Sequence, residues 1–175
     1  MLDIFELGLC KKAHSTRMIE AFIIDEVTEE LSASAKAIEH TIELMDEHQP
    51  VLLGYLFSET FEVFTEQERE FILFLVCVIW KSIFRVYGPQ DVINESQISA
   101  AEETHWGLLQ DVKTHRFRER LDVFFKKHPA EEELLALVED AILDDDESPV
   151  TNEGREPIFV SLKSIIDCLL LPNLG

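Results

Sequence analysis

Apolar residues recur every three or four positions along most of this 175-residue chain, and this spacing predicts helices. Six prolines divide the apolar stretches and none interrupts one. This fits helices because proline lacks a backbone donor and clashes with the preceding helical turn. The prolines are Pro50, Pro89, Pro129, Pro149, Pro157 and Pro172. The pattern therefore predicts an all-α protein.

The most apolar of these stretches predicts a helix over about residues 66–87. Thr65 and Glu68 form a capping-box pattern at its start, and Gly88 followed by Pro89 ends it. Residues 71–80 are all apolar, and a helix without a polar face must be surrounded by other helices. We therefore expect a bundle of about six helices around this central hydrophobic helix. Ten residues reach only about 15 Å as a helix, about half of a membrane's hydrocarbon thickness, so no membrane span is predicted.

The other helices are predicted from shorter patterns. A long apolar stripe extends from a candidate N-cap at Ser15 to His48, and small polar residues at 32–35 leave open a bend within it. Pro50 opens a further helix, and a second capping-box pattern at Ser99–Glu102 predicts another start. A helix from Pro129 should end near Leu143, because three aspartates that follow are unfavourable at a helix C-terminus.

The C-terminal part predicts a linker and a docking helix within one domain that spans residues 1–175. Residues 144–156 are acidic and contain proline and glycine, which is typical of a linker. Residues 157–171 are strongly apolar and cannot remain exposed. This helix packs either on its own chain or on a neighbouring copy, so self-association through it is one prediction.

Charge and cysteine content limit the classes of function. The chain has 35 acidic and 15 basic residues, a formal net charge of −20, which disfavours binding to nucleic acid or an anionic membrane. The simplest interpretation is a solvated acidic surface, and the functional one is attraction of a basic partner. Cys10, Cys77 and Cys168 are far apart and form no CxxC pair, so a reducing compartment, the cytoplasm, is expected.

Glu102 and His105 form the strongest metal-like pattern. Their spacing places both side chains on one face of a helix, as in carboxylate-bridged di-iron bundles. Such bundles need the motif on two helices, and no other histidine here has an acid three residues before it. Glu102 also has the capping-box role predicted above. The remaining ligands would be acids of the first long helix, which also carries a ridge of Glu39, Glu43 and Glu47 whose simplest interpretation is a solvated face.

A basic stripe is the second candidate site. Lys113, Arg116, Arg120 and Lys127 share a helical face, and the apolar phase changes near Thr114, which predicts a kink or a break there. One interpretation is a partner-binding site for an anionic group. The other, which the sequence favours, is neutralisation by acidic helices of the same fold.

These patterns lead to one leading hypothesis and one alternative. The chain has no hydrolase nucleophile motif, no phosphate-binding glycine loop and no His-Glu-x-x-His, and no cofactor is predicted. The leading hypothesis is a cytosolic acidic helical interaction protein, of an adaptor or inhibitor type, that acts on a macromolecular partner such as a basic protein. The alternative is a metal-dependent helical-bundle enzyme that uses Glu102 and His105.

Overall fold

The computed structural model describes residues 18–125, 129–144 and 146–170, and every regular element within these ranges is helical. The eight α-helices are α1 (Ala21–Ser32), α2 (Ala35–His48), α3 (Pro50–Leu56), α4 (Glu66–Tyr87), α5 (Glu95–Gln110), α6 (Phe117–Phe125), α7 (Glu132–Leu143) and α8 (Arg155–Leu170). Two short 3₁₀ helices cover Glu59–Val63 and Pro129–Glu131. The helices pack against one another, which confirms the predicted all-α bundle.

Helix α4 has the predicted bounds and lies at the centre of the bundle. The backbone N–H of Thr65 donates to Glu68 Oε2, and the Glu68 N–H donates to Thr65 Oγ1, so the capping box is formed. Residues 75–80 are buried on every side of the helix, because α1, α2 and α8 pack around it. Gly88 ends the helix with a φ of 77°, a left-handed conformation that favours glycine.

Helix α8 is a second buried helix, and it packs on its own chain. Every residue from 158 to 166 is buried, against α5, α4 and α7. The connection before it is bonded to the start of α4, since the backbone N–H and the hydroxyl of Thr151 both donate to Glu68 Oε1. The linker and docking-helix assignment stays a prediction. Self-association through α8 would require an exchange of helices between copies, because its apolar residues are already covered.

The described residues form eight α-helices where about six were predicted, because two predicted stretches are each broken into two helices. The Ser34 hydroxyl accepts a hydrogen bond from the Lys36 N–H, so α2 begins anew and the long stripe bends where the small residues allowed. The candidate cap Ser15 lies outside the described residues. Near Thr114 the chain breaks between α5 and α6, and α7 ends at Leu143 as predicted.

The predicted capping box at Ser99–Glu102 is wrong. Helix α5 begins five residues earlier, where Asn94 and Gln97 exchange the two capping hydrogen bonds. A serine and a glutamate at this spacing also fit a helix interior, and here Glu102 is used for a contact between helices.

Among the described helices, none is both long and apolar enough to cross a membrane.

Candidate functional site

Four polar residues of α8 lie inside the bundle and form the centre of a buried polar network. Ser161, Lys163 and Ser164 are buried, and Asp167 is half-buried. The network reaches α3, α5 and the 3₁₀ turn before α7, so it joins four elements. Buried polar groups are tolerated where they are hydrogen-bonded, and each of these four has a partner.

His105 is held by both ring nitrogens. Its Nε2 lies 2.8 Å from Asp167 Oδ2, and its Nδ1 lies 2.8 Å from Ser164 Oγ. An ionised carboxylate only accepts, so Nε2 carries a proton. The edge of the ring also packs on Phe124, with ring centroids 5.4 Å apart. Neither nitrogen is therefore open to a metal ion in this arrangement.

Lys163 joins two carboxylates in the interior. Its ammonium group lies 2.6 Å from Glu131 Oε2 and also pairs with Asp167. Burial, and then the charge of Asp167, raise the pKa of Glu131 despite the hydrogen bond from Lys163. Burial alone would raise the pKa of Asp167, but the His105 hydrogen bond and the Lys163 charge outweigh it and lower that pKa.

Glu102 belongs to the same network at its other end. It accepts hydrogen bonds from the Tyr55 hydroxyl and from Ser161 Oγ, the latter at 3.1 Å. Burial and the adjacent Glu102 carboxylate raise the pKa of Tyr55. The predicted partners Glu102 and His105 thus share a face of α5, and each is bonded to α8.

The network includes the residue types of a serine hydrolase but not an accessible nucleophile. Ser164 is completely buried, and its hydroxyl is also hydrogen-bonded to the Val160 carbonyl. A shallow depression of about 390 Å³ opens over His105, Asp167 and neighbouring residues of α5. These contacts support a structural role, in which the network fixes α8 against α5 and the turn before α7.

The structure does not assemble the ligand set of the metal alternative. Within the described ranges, no group of three or more His, Cys, Asp or Glu side chains is placed to hold a metal ion. Glu39, Glu43 and Glu47 are exposed on α2, while His105 is buried against α8. The metal-dependent enzyme stays an untested prediction.

The predicted basic stripe is divided by the fold. Arg120 is half-buried, donates to the carbonyls of Leu109, Val112 and Thr114, and pairs with Glu156. Arg116 pairs with Glu119 at 3.0 Å on the surface, and Lys113 is exposed. Lys127 lies outside the described residues. Arg120 therefore joins the end of α5 to the start of α8, and partner binding by the stripe stays a prediction.

Acidic side chains dominate the exposed faces of α1 and α2. Residues 20–47 contain nine acids and a single lysine. Glu26 and Glu30 pair with Arg85 and Lys81 of α4. The remaining seven are exposed and have no lysine or arginine partner among the described residues: Glu20, Asp25, Glu29, Glu39, Glu43, Asp46 and Glu47. We call these seven residues the α1–α2 acidic face.

A groove lies between α3, the following 3₁₀ helix and the first turns of α4. We call it the α3–α4 groove; its volume is about 290 Å³. The apolar part of its lining is Leu56, Phe57, Phe61, Ile72 and Leu73. Its acidic part is Glu62, Glu66 and Glu70.

Sequence reasoning missed most of the buried network. The polar residues of α8 were not singled out, because polar residues on a helix usually face solvent. One signal was present, since Lys163 and Asp167 are spaced four apart and pair on a helix that is otherwise mostly apolar. Comparison with protein-family models, curated proteins and solved structures found no match to this chain.

Proposed function

We propose that the protein is an interaction protein that binds a basic macromolecular partner, most directly a basic protein, through acidic helical surface. One observation carries the proposal: the α1–α2 acidic face presents seven exposed carboxylates on two adjacent helices, without lysine or arginine partners among the described residues. Complementary charge steers two proteins together and disfavours partners of like charge.

The placement of the basic residues supports the same proposal. Arg85, Arg116, Arg118 and Arg120 each pair with an acid of this chain. Since the chain carries 35 acids against 15 bases, such pairing leaves an excess of unpaired carboxylates at the surface. Exposed charges of one sign repel each other, and an opposite charge on a partner relieves that repulsion.

The proposal is tested by affinity capture with two variants of equal net charge. The first variant neutralises α2 by Glu39→Gln, Glu43→Gln, Asp46→Asn and Glu47→Gln. The control neutralises four exposed acids outside α1 and α2, by Glu95→Gln, Glu103→Gln, Asp111→Asn and Glu153→Gln. Full-length proteins are immobilised, and proteins retained from the native lysate are quantified by mass spectrometry.

We expect wild type and control to retain the same basic protein at about 50 mM salt and to release it at about 500 mM, where charges are screened within a few ångströms. The α2 variant should retain at least tenfold less. Recovery of no partner at low salt, or equal retention by the α2 variant, would contradict the proposal.

A further inference from the structure

The most exposed apolar side chains of the described residues lie close together in the chain. Phe57 is 71% exposed and Val63 is 81% exposed, at the end of α3 and in the 3₁₀ helix after it. An isolated exposed apolar residue is ordinary, but one that lies at a concave apolar surface indicates a candidate binding site. Phe57 itself forms part of the α3–α4 groove.

The floor of the groove is apolar and rigidly supported. Phe61 is buried and packs edge-on against Tyr55, with ring centroids 4.9 Å apart, and at 5.5 Å from Phe64. Ile72 belongs to the fully buried core of α4. Because these residues are fixed from behind, the groove is preformed, which lowers the entropic cost of binding.

The rim of the groove carries unpaired negative charge. Glu62, Glu66 and Glu70 are exposed, and within the described chain none of them forms an ion pair. Arg69 is the single base among the described residues of the lining. By contrast, Glu26 and Glu30 lie beside the other end of α4, where they pair with Lys81 and Arg85. Charge complementarity therefore points to a basic occupant.

We propose that the α3–α4 groove binds an amphipathic, basic helical segment of a protein partner. An apolar side chain of that segment packs against Phe57 and the groove floor, and its lysines or arginines meet Glu62, Glu66 and Glu70. A volume of about 290 Å³ is at the lower end for small-molecule sites and fits anchor side chains of a helix in a groove. This inference rests on the proposed function and names the partner's chemistry.

Residues 1–17 of the chain are a competing occupant, because their sequence combines apolar residues with Lys11, Lys12 and Arg17. Glu26 of α1 pairs with Arg85, which is 16 residues or about 24 Å along α4 from Arg69. Helix α1 therefore begins near the opposite end of α4. Residues 1–17 would have to run back along α4 to reach the groove, whereas a partner segment would not.

The test uses a fluorescent synthetic 16-residue peptide with leucines on one helical face and lysines on the other. Its affinity for the full-length protein is measured by anisotropy at low salt. Two comparison peptides replace the lysines by glutamates or the leucines by serines. We expect the glutamate peptide not to bind and the serine peptide to bind at least tenfold more weakly, because both charge and an apolar anchor are needed.

Variants of the protein locate the site. Phe57→Ala should weaken binding about tenfold, and Glu62→Gln with Glu66→Gln and Glu70→Gln should weaken it similarly and reduce its salt dependence. Phe57 is largely exposed, so the variant should retain the wild-type melting temperature, which is measured alongside. The control variant described above, in which Glu95, Glu103, Asp111 and Glu153 are neutralised, should bind the peptide within twofold of wild type.

Each alternative result overturns the inference. Equal weakening by the control variant would show general charge attraction, and the proposed function would still stand on its capture experiment. Unchanged affinity of Phe57→Ala, or no binding of the basic peptide, would exclude the groove. Displacement of the probe by a peptide of residues 2–17 would assign the groove to the chain's own segment.

Discussion

At the scale of single residues, Lys163 carries a buried positive charge that pairs with two carboxylates. Its side chain is 5% exposed and lies between Glu131 and Asp167, while His105 binds Asp167 from the other side. Taking a charge out of water is costly, and only its partners offset that cost. The cluster is therefore stable as a unit and sensitive to the loss of any one member.

Lys163→Met tests this dependence. The change leaves Glu131 and Asp167 buried beside each other without their cation, and we expect a loss of about 3–5 kcal/mol in the free energy of unfolding. The matched control is Arg116→Met, which removes an ion pair whose arginine is 83% exposed and should cost less than about 1 kcal/mol. Urea denaturation measures both, and equal losses would contradict the assignment.

Glu131 gives the cluster a pH dependence. Burial raises its folded pKa above the ordinary 4.5, so its contribution to stability is present below pH 4.5 and is lost as pH rises through the folded pKa. Relative to Glu131→Gln, the wild type should therefore lose stability as pH increases above 4.5. Unfolding free energies at several pH values check this, and a difference that is constant or of the opposite slope would contradict it.

At the scale of elements, Glu68 joins the cap of α4 to the connection before α8. Burial would raise its pKa, but hydrogen bonds from Thr65 and Thr151 outweigh it and lower that pKa, so the carboxylate is stabilised in its charged form. Gly154 lies against the same carboxylate. The Glu68 side chain thus fixes the start of α4 relative to the start of α8.

Gly154→Ala should disturb this junction. A Cβ at residue 154 would collide with Glu68 Oε1 and displace it from its hydrogen bonds with Thr151, so we expect a destabilisation of about 1–3 kcal/mol. Gly107→Ala is the matched control, because position 107 is exposed in α5 with open space around it. There alanine should stabilise by about 0.5–1 kcal/mol, since glycine costs that much within a helix. Thermal unfolding would contradict the account if both variants shifted in the same direction.

The helices were predictable from the sequence because apolar periodicity and capping patterns depend only on residues that are close together in the chain. The bounds of α4 follow from Thr65, Glu68 and Gly88, which act within one turn of the helix. The start of α5 was missed because two cap-like patterns stand five residues apart, at Asn94 and Ser99. Only the contacts of Glu102 with Tyr55 and Ser161 decide between them, and these join residues distant in sequence.

At the scale of the whole molecule, the fold separates paired from unpaired charge. The polar residues of α8 and Arg120 are bonded within the chain, whereas the α1–α2 acidic face and the rim of the α3–α4 groove are not. The sequence predicted the acidic excess but not this division, because pairing depends on which helices become neighbours. We therefore propose that binding takes place at the surface and that the buried network has a structural role.

This assignment depends on α8 being a core helix of its own chain, and native-state hydrogen exchange tests that claim most directly. The amides of α8 are compared with those of α4 in the full-length protein. We predict that both sets exchange only through global unfolding, with the free energy obtained from urea denaturation. Exchange of the α8 amides through a smaller opening, at least about 2 kcal/mol below the global value, would show a detachable docking helix and contradict the account.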